Sequence, residues 1–429
     1  MNAETIFAVA SGAGQAAIAV MRVSGPDSRD LLAALCGRVP PPRRASFRRL
    51  RDAEGAELDQ AMVVWLPAPG SYTGEDSAEL YLHGGRAVLA GVADALVALG
   101  ARPAEPGEFT RRAFLNGRMD LTEAEAVHDL IAAETEAQRR QALRQLDGAL
   151  GAVYGGWADR LRLLLAEQEA LIDFPDEDLP PEVEAQVDRE LAALRQEVAV
   201  HLDDGRRGER LRGGLVFAVT GRPNVGKSSL VNALAERDVA IVTPIPGTTR
   251  DAVETRVVLG GVPVTLVDTA GLRDTVDEIE AEGVRRARAR AETADLVVAV
   301  SEAGEAIAAS DGQSSVVVAN KIDLGGSVPV DAIAVSALTG EGLDALRARL
   351  AAAARSLTES AGPPPLTQAR HRAALQEAAA RLAGAQVADL PELRAEDLRL
   401  ALRALGRITG SVGVEDILDT LFARFCIGK

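Results

Sequence analysis

The amino-acid sequence predicts a multidomain α/β protein, and three observations indicate this fold class. Residues 1–117 mix short strand-like runs with helical runs, which is typical of an α+β domain. Residues 213–358 alternate between strand and helix patterns, as α/β domains do. Helical patterns fill residues 118–212 and 359–429 on either side of it. We therefore expect a discontinuous α-helical domain that is interrupted by an inserted α/β domain.

The elements of the N-terminal domain follow from local patterns. Residues 18–23, 61–66 and 79–82 are short apolar runs with strand character, and residues 87–99 have a helical pattern. Proline-rich stretches at 40–42 and 67–70 predict loops between these elements.

Apolar residues at a spacing of three to four predict the helices of the second domain. Thr122 and Glu125 have the spacing of a capping box, which predicts a helix start with Val127, Leu130 and Ile131 on one face. A second helix is predicted across residues 161–171. The proline-rich stretch at 362–365 predicts a linker. The other apolar positions on predicted helices are Val183, Val187, Leu191, Leu194, Val198, Leu202, Leu398, Leu402, Leu405, Ile408, Ile417, Leu418, Leu421, Phe422 and Phe425.

Composition restricts the function class. The net charge of −16 argues against a broad basic surface for nucleic acid, although it leaves room for a local patch or for RNA delivered by a partner. Only Cys36 and Cys426 are present, too few for a disulfide framework, and no apolar run approaches the length of a membrane span. The first ten residues lack the basic start of a secretory signal. These features predict a cytoplasmic protein without a membrane segment.

Lysine is nearly absent from the chain. The three lysines are Lys227, Lys321 and Lys429, so 44 of the 47 basic residues are arginine. Lysine carries a compact ammonium on a thin stem, whereas the arginine guanidinium is a wide planar fork. We infer that lysine is kept where arginine does not serve, and two of the three lie in the motifs described next.

Residues 221–228 (GRPNVGKS) match the phosphate-binding pattern GxxxxGK[ST]. An apolar strand at 215–220 precedes them and a helical run at 229–235 follows, as the mechanism requires. Backbone N–H groups of such a loop turn towards phosphates, and the helix N-terminus adds a favourable dipole. We expect Lys227 to reach the β- and γ-phosphates and Ser228 to bind Mg²⁺.

Four further motifs occur in the order of a Ras-like P-loop GTPase domain. Residues 247–251 (GTTRD) offer Thr249 as a second Mg²⁺ ligand. Residues 268–271 (DTAG) supply a carboxylate, Asp268, that can hold magnesium through water, and a glycine whose N–H can meet the γ-phosphate. Residues 320–323 (NKID) end in an aspartate that can accept hydrogen bonds from guanine N1–H and its 2-amino group, which adenine does not offer. Residues 336–338 (SAL) can close over the base. Each motif alone is typical of a turn or loop, but together they predict a guanine-nucleotide site.

The sequence departs from the familiar switch GTPases at Leu272, which occupies the position of their water-orienting glutamine. An apolar side chain cannot hold water by a hydrogen bond. Another group must therefore orient the attacking water.

Motifs along the whole chain resemble one family, the bacterial tRNA-modification GTPases known as MnmE or TrmE. The likeness rests on residues 22–25 (RVSG), 72–76 (YTGED), 83–85 (HGG), 106–116 (PGEFTRRAFLN), 172–176 (IDFPD) and 426–429 (CIGK). The last motif and the interrupted helical domain distinguish this family from other small bacterial GTPases.

The resemblance implies a homodimer formed through the N-terminal domain. It also implies work with an FAD-dependent partner, MnmG or GidA, in a heterotetramer that adds a carboxymethylaminomethyl-type group to C5 of the wobble uridine of certain tRNAs. A 5-formyltetrahydrofolate-type cofactor is implied as the one-carbon donor, with Arg22, Glu79, Arg118 and Lys429 as the matching binding residues. Arg118 stands where the family often has lysine, so its charge is kept and its shape is not.

The resemblance also implies how hydrolysis is achieved. Its potassium site corresponds to Asn224, Thr243, Ile245 and Thr248, and a cation there would stabilise charge in the transition state. Glu280 corresponds to the catalytic acid of the family, although its position alone is more typical of a solvated carboxylate at a helix start. With the motifs, the resemblance gives as GTP-binding residues Asn224, Val225, Gly226, Lys227, Ser228, Ser229, Thr243, Pro244, Ile245, Pro246, Gly247, Thr248, Thr249, Asp268, Thr269, Ala270, Gly271, Asn320, Lys321, Asp323, Ser336, Ala337 and Leu338.

Cys426 matches the C-terminal cysteine that the family ties to modification chemistry. A thiolate nucleophile and a small half-buried residue beside Phe425 both remain open. His83 and His128 have no metal-ligand partners at useful spacing, so Mg²⁺ and K⁺ are the only metals expected. Two alternative functions also remain open: a ribosome-assembly or RNA-binding switch GTPase, and a folate-binding one-carbon carrier whose GTPase activity is regulatory.

Overall fold

The computed structural model describes residues 4–12, 14–173, 181–237, 254–269, 292–305, 314–359, 362–413, 415–423 and 425–428. These residues form two compact units, which are described separately. The first unit comprises residues 1–128, 150–158 and 405–429, and the second comprises residues 129–149 and 159–404. The division of the chain at residues 117, 212 and 358 stays a prediction.

The first unit is built on a six-stranded sheet, as expected for an α+β domain. Its strands are β1 (Ile6–Val9), β2 (Ala16–Ser24), β3 (Ser46–Arg51), β4 (Glu57–Leu66), β5 (Ser77–Gly84) and β6 (Arg102–Pro103). Their order is β3-β4-β5-β2-β1-β6, antiparallel except for the parallel pair of β1 and β6. The three strands and the helix predicted here are confirmed. The helices are α1 (Ser28–Cys36), α2 (Arg86–Ala98) and α3 (Glu108–Leu115).

Helices α1 and α2 cover one face of this sheet, and the opposite face is exposed only towards its β3 edge. Leu32 of α1 and Leu96 of α2 are buried against inward-facing strand residues such as Met21 and Leu80. On the opposite face, paired residues of neighbouring strands form an apolar stripe. Its members are Phe47 on β3, Met62 on β4, Tyr81 on β5 and Val20 on β2. Phe47 remains 57% exposed and Met62 39% exposed, so this stripe is left open to solvent.

Helices account for most of the remaining chain. They are α4 (Leu121–Ala132), α5 (Glu136–Leu146), α6 (Ala149–Asp173), α7 (Pro181–Leu202), α8 (Arg207–Gly213), α9 (Lys227–Arg237), α10 (Leu343–Thr358), α11 (Ala369–Val387), α12 (Pro391–Thr409) and α13 (Glu415–Phe422). The predicted stripe of α7 is confirmed, because Val187, Leu191, Leu194 and Val198 are fully buried. Helix α7 packs on α11. Among the described residues, none of the helices has the length and apolar character to cross a bilayer.

The start of α4 differs from the prediction. The capping box is formed by Asp120 and Glu123: the Glu123 N–H donates to Asp120 Oδ1 at 2.8 Å, and the Asp120 N–H donates to Glu123 Oε2 at 2.6 Å. The predicted pair of Thr122 and Glu125 is wrong, because both lie inside the helix and are buried. The predicted apolar face of α4 is confirmed only in part: Val127 and Leu130 are half-buried, but Ile131 is 45% exposed, and the buried residues are those near the helix start.

The second unit contains a second six-stranded sheet, of the Ras-like kind expected. Its strands are β7 (Leu215–Thr220), β8 (Glu254–Leu259), β9 (Val262–Asp268), β10 (Leu296–Glu302), β11 (Ser315–Asn320) and β12 (Ile333–Ala334). The order is β12-β11-β10-β7-β9-β8, parallel except for β8. Parallel strands buried on both faces need continuous apolar runs, and β7 and β10 supply them. Their carboxyl ends meet at one edge, where ligands of such sheets bind.

Candidate functional site

A tight loop joins the end of β7 to the start of α9. Gly221 has a φ of +147°, and a Cβ atom there would lie 2.1 Å from the Val300 carbonyl oxygen. Gly226 has a φ of +91°, and its Cβ would lie 2.4 Å from Asn320 Nδ2. Asn224 is also left-handed, with a φ of +67°. Glycine is needed at 221 and 226 because any side chain would displace the neighbouring groups.

The Lys227 side chain lies inside this loop and donates hydrogen bonds to its backbone. Its Nζ donates to the carbonyl oxygens of Gly221 and Arg222, both at 2.8 Å, and the residue is 5% exposed. An ammonium group has three donors, so one remains for a phosphate oxygen. Burial lowers the pKa of Lys227, while the negative charge of Asp268 acts in the opposite direction. The side chain is thus held in place before any nucleotide binds.

Ser228 and Asp268 bring hydroxyl and carboxylate oxygens together. The Ser228 hydroxyl donates to Asp268 Oδ2, although the two residues lie on α9 and at the end of β9. Thr269, which follows, donates from its hydroxyl to the Val219 carbonyl at 2.8 Å and so fixes the end of β9 beside β7. Mg²⁺ prefers hard oxygen ligands, so this donor set fits the metal.

Asn320 lies between the two halves of the site. Its Nδ2 donates to the Val225 carbonyl at 2.8 Å, and its Oδ1 accepts from the Ala337 N–H at 3.1 Å. The residue is 1% exposed. One buried amide therefore ties the phosphate loop to residues 336–338.

Asp323 and Ser336 form the other end of the site. The Ser336 hydroxyl donates to Asp323 Oδ1 at 2.5 Å, and it also accepts from the Thr339 N–H at 3.1 Å. These contacts hold the carboxylate in a fixed direction. Lys321, with a φ of +63°, has its Nζ 3.4 Å from Glu302 Oε2. Leu338 is 87% exposed at the rim.

The structure therefore brings together the predicted residues of three strand ends and one helix start. A lysine and a serine for phosphate and metal, an aspartate for magnesium and an aspartate for guanine converge on one sheet edge. Asn224, Val225, Gly226 and Ala337 also lie in the two loops involved, and Ser229 lies in the first turn of α9. The predicted residues that lie outside the described residues are Thr243, Pro244, Ile245, Pro246, Gly247, Thr248, Thr249, Ala270, Gly271 and Glu280. This fold and this site define a P-loop GTPase.

A second polar cluster lies in the first unit. Arg22 on β2 and Glu79 on β5 are paired across the sheet, with Arg22 Nη2 2.9 Å from Glu79 Oε1. The Arg22 guanidinium lies 5.1 Å from the Tyr72 ring centroid and 5.8 Å from that of Phe109, which allows cation–π interaction.

Arg118 and the C-terminal segment adjoin the same part of the first unit. A Cβ atom on Gly74, in the loop after Tyr72, would lie 3.1 Å from Arg118 Cγ. The Gly107 N–H donates to the Cys426 carbonyl at 3.4 Å, and Gly428 lies against the Val9 carbonyl. Val9 neighbours Ala8, which pairs with Arg22 in the sheet. Lys429 lies outside the described residues.

The two cysteines have different surroundings. Cys426 is exposed, which contradicts its interpretation as a half-buried residue, whereas the neighbouring Phe425 is buried and packs on His128 with ring centroids 5.1 Å apart. Burial raises the pKa of Cys36 to about 11, with nearby Arg48 acting in the opposite direction. A thiol of such high pKa is unreactive. No group of three or more metal-binding side chains occurs in the part of the chain that the structure describes.

Sequence reasoning missed several contacts at these sites. Asn320 was expected to be part of a base-binding motif, yet its amide bonds to two backbone groups of the protein. Tyr72 and Phe109 belong to motifs quoted for the family resemblance, but no role was predicted for their rings. The sequence gives no signal for these two rings beside Arg22, because the contacts span 50 and 87 residues of chain.

Comparison with known proteins gives the family. The family profile described as "MnmE helical domain" matches residues 121–426, and that described as "GTP-binding protein TrmE N-terminus" matches residues 5–118. The chain is 64% identical to a tRNA modification GTPase MnmE of Gluconacetobacter diazotrophicus over 99% of this chain and 98% of that protein. It is 59% identical to one of Granulibacter bethesdensis over 100% of both chains. Among solved structures, Era of Aquifex aeolicus is 25% identical, covering 41% of this chain and 69% of its own, with a TM-score of 0.26 that adds nothing to the assignment.

The chain belongs to the MnmE family of tRNA modification GTPases. The family predicted from the sequence motifs is thereby confirmed, and so are the predicted fold class and the prediction of a GTP-hydrolysing enzyme.

Proposed function

We propose that this chain hydrolyses GTP to drive the addition of a carboxymethylaminomethyl-type group to C5 of wobble uridine in tRNA. The observation that carries the proposal is the single sheet edge shared by Lys227, Ser228, Asp268 and Asp323. Phosphate, magnesium and guanine contacts are all available there. Relatives that match the chain over its whole length are tRNA modification GTPases, which supports the same pathway and a cytoplasmic location.

Ser228 and Asp268 would hold Mg²⁺, with Thr249 as a further ligand. Lys227 would donate its third hydrogen to the γ-phosphate, and the loop amides would direct their N–H groups to the other phosphate oxygens. Magnesium would supply neutralisation of the negative charge on the phosphate groups. The two loop carbonyls that accept from Lys227 Nζ keep its ammonium group directed at the phosphate site.

We propose that a potassium ion assists hydrolysis beside Asn224, with Thr243, Ile245 and Thr248 as the other ligands. Asn224 is exposed and left-handed, and in the described part of the chain its side-chain amide has no hydrogen-bond partner. Its oxygen is therefore available to a cation. Glu280 would orient the attacking water, because Leu272 cannot.

The folate donor would bind at the second polar cluster. Glu79 offers a carboxylate to the amino groups of a pterin, and Arg22 beside Tyr72 and Phe109 provides charge next to two aromatic rings. Arg118 and Lys429 would contact the rest of the cofactor. The adjoining Cys426 is exposed, which suits a direct part in the modification chemistry.

The homodimer would form through the N-terminal domain. The apolar stripe of Phe47, Met62, Tyr81 and Val20 supports this, because an open apolar face is a usual mark of an interface. An FAD-dependent partner, MnmG, would supply the redox chemistry in a heterotetramer. The ribosome-assembly and folate-carrier alternatives lack a supporting observation.

The test is mass spectrometry of tRNA nucleosides from cells with and without this gene. We expect the carboxymethylaminomethyl-type nucleoside to disappear on deletion and to return with the wild-type gene. Persistence of the nucleoside would remove the tRNA role. GTP turnover in KCl and in NaCl tests the cation separately, and equal rates would count against potassium.

A further inference from the structure

The segment 38–51 has a charge opposite to that of the protein as a whole. It contains six arginines and no aspartate or glutamate, in a chain of net charge −16. The segment runs from the end of α1 through a proline-rich loop into β3. Charged residues on an edge strand protect it from pairing with other chains, and β3 is an edge strand. That explanation does not extend to Arg38, which precedes the strand, nor to Arg29 on α1.

Arg29, Arg38 and Arg48 line one cleft of about 610 Å³ in the first unit. The cleft is also lined by apolar residues, Trp65, Val39 and the prolines at 40–42 and 67, which we call its apolar floor. Asp76 also lines the cleft, but its Oδ1 accepts a hydrogen bond from the Ala68 N–H at 2.8 Å. This volume is in the range of small-ligand pockets and suits a nucleotide.

Among the described residues, none of these three arginines forms an ion pair with a carboxylate, and the one hydrogen bond among them goes to a backbone carbonyl. Among the described residues, the side chains of Arg29 and Arg38 form no hydrogen bond or ion pair, and both are exposed. The Arg48 Nε is buried without a hydrogen-bond partner, while its Nη1 donates to the Phe47 carbonyl at 2.8 Å. By contrast, Arg43 donates to the Gly70 carbonyl and Arg49 lies 3.8 Å from Glu57. Three unneutralised guanidinium groups around one cleft favour an anionic ligand.

We propose that this cleft binds the phosphate backbone of the substrate RNA, with a nucleoside resting on its apolar floor. Guanidinium groups bind phosphate in bidentate fashion, and unpaired nucleosides pack on apolar and aromatic surfaces. An anionic membrane would be met by a convex surface with apolar side chains to insert, whereas these arginines surround a concave cleft. The inference rests on the proposed function in taking tRNA as the RNA.

The experiment compares a triple and a double cleft variant of the full-length chain with a triple control variant. Arg29→Gln, Arg38→Gln and Arg48→Gln together remove three charges from the cleft. Arg29→Gln with Arg38→Gln changes exposed side chains alone, in case Arg48 contributes to folding. The matched control removes three charges from exposed helical arginines of the second unit without partners among the described residues: Arg195→Gln, Arg349→Gln and Arg403→Gln.

Binding of an unmodified tRNA transcript is measured across a series of KCl concentrations. Each lost phosphate contact lowers the slope of log K against log salt by about 0.7–0.9. The cleft variant should therefore lose about 2 units of slope and at least about tenfold in affinity, whereas the control should match wild type. RNA-free GTP turnover should be unchanged in the cleft variants, as a check on folding.

Equal losses in cleft and control variants, or no loss in either, would overturn the inference. So would arginine-dependent binding to phosphatidylserine vesicles that exceeds binding to tRNA. Failure of the proposed function can be told apart from failure of the cleft inference, because it would appear as a modified wobble nucleoside that persists after gene deletion. If the nucleoside disappears on deletion and the cleft variant still binds tRNA like wild type, the cleft inference alone fails.

Discussion

Replacing Lys227 by arginine tests the reading of the nucleotide site most directly, because it keeps the charge and changes the shape alone. Nζ of Lys227 donates to two loop carbonyls at 2.8 Å, in a position that is 5% exposed. A planar guanidinium cannot direct donors to both carbonyls and also to a phosphate from this position. The chain uses arginine almost everywhere else, so tolerance of arginine here would be informative.

The expected loss follows from two effects. A hydrogen bond to a charged group contributes about 1.5–3 kcal/mol, and overpacking a buried site costs about 1–3 kcal/mol. Together they predict a loss of about 2.5–6 kcal/mol in GTP binding, or on the order of 10²- to 10⁴-fold. Titration with a fluorescent GTP analogue measures it, alongside steady-state phosphate release.

The matched control is Arg222→Lys in the same loop. The Arg222 side chain is 78% exposed and lies 3.5 Å from Glu305, so its ion pair contributes little. We expect GTP affinity within about threefold of wild type. The reasoning is refuted if Lys227→Arg also binds GTP within threefold, or if both substitutions weaken binding equally.

Three further predictions concern the base pocket and the stability of the second unit. Asp323→Asn should shift preference from GTP towards xanthosine triphosphate, because an amide can donate to the 2-oxo group of xanthine; competition binding measures the ratio. Arg372→Met should destabilise the fold by about 3–5 kcal/mol in urea unfolding, because it leaves Asp204 and Glu209, now bonded at 2.6 Å and 2.9 Å, without their buried partner. Burial lowers the pKa of His201, so stability should be full above the unfolded pKa of about 6.5 and decline as pH falls through it, less so in His201→Gln.

Each of these three predictions has a control or an outcome that would contradict it. The control for Arg372 is Arg381→Met, on the same helix. It removes the ion pair of Arg381 with Asp397, but the Arg381 side chain is 46% exposed, so we expect the free energy of unfolding to change by about 0–1 kcal/mol. A comparable loss from both arginine substitutions would contradict the role assigned to burial. An unchanged GTP preference in Asp323→Asn would exclude base recognition by that carboxylate, and identical pH profiles would exclude His201 as their cause.

Much of the fold could be predicted because its signals are local. Apolar runs predict the buried parallel strands. Asp268 and Asn320 are the polar residues that end two of these runs, so they must lie at the same edge of the sheet. The motif at 221–228 has a loop geometry that glycine alone permits. Each of these features depends on a short stretch of sequence, so it can be predicted without knowing which distant residues are in contact.

Other features of the structure could not be predicted. Some depend on which of two similar sequence patterns forms the helix cap, and others depend on contacts between residues far apart in the chain. Asp120 and Glu123 have the same spacing as Thr122 and Glu125, and burial in the folded chain decides between them. The contact of Cys426 with Gly107 joins residues over 300 positions apart. Likewise, Arg29 and Arg48 are brought together by a helix and an edge strand that no motif connects.

The Asn320 amide couples the two ends of the nucleotide site. It is bonded at one side to the backbone that surrounds the phosphates and at the other to the segment that covers the base. A displacement at either side must therefore strain or break a bond to the other. Gly226 leaves the space that this amide occupies, so enlarging that one residue should impair discrimination among bases together with the grip on phosphate, although it touches no base.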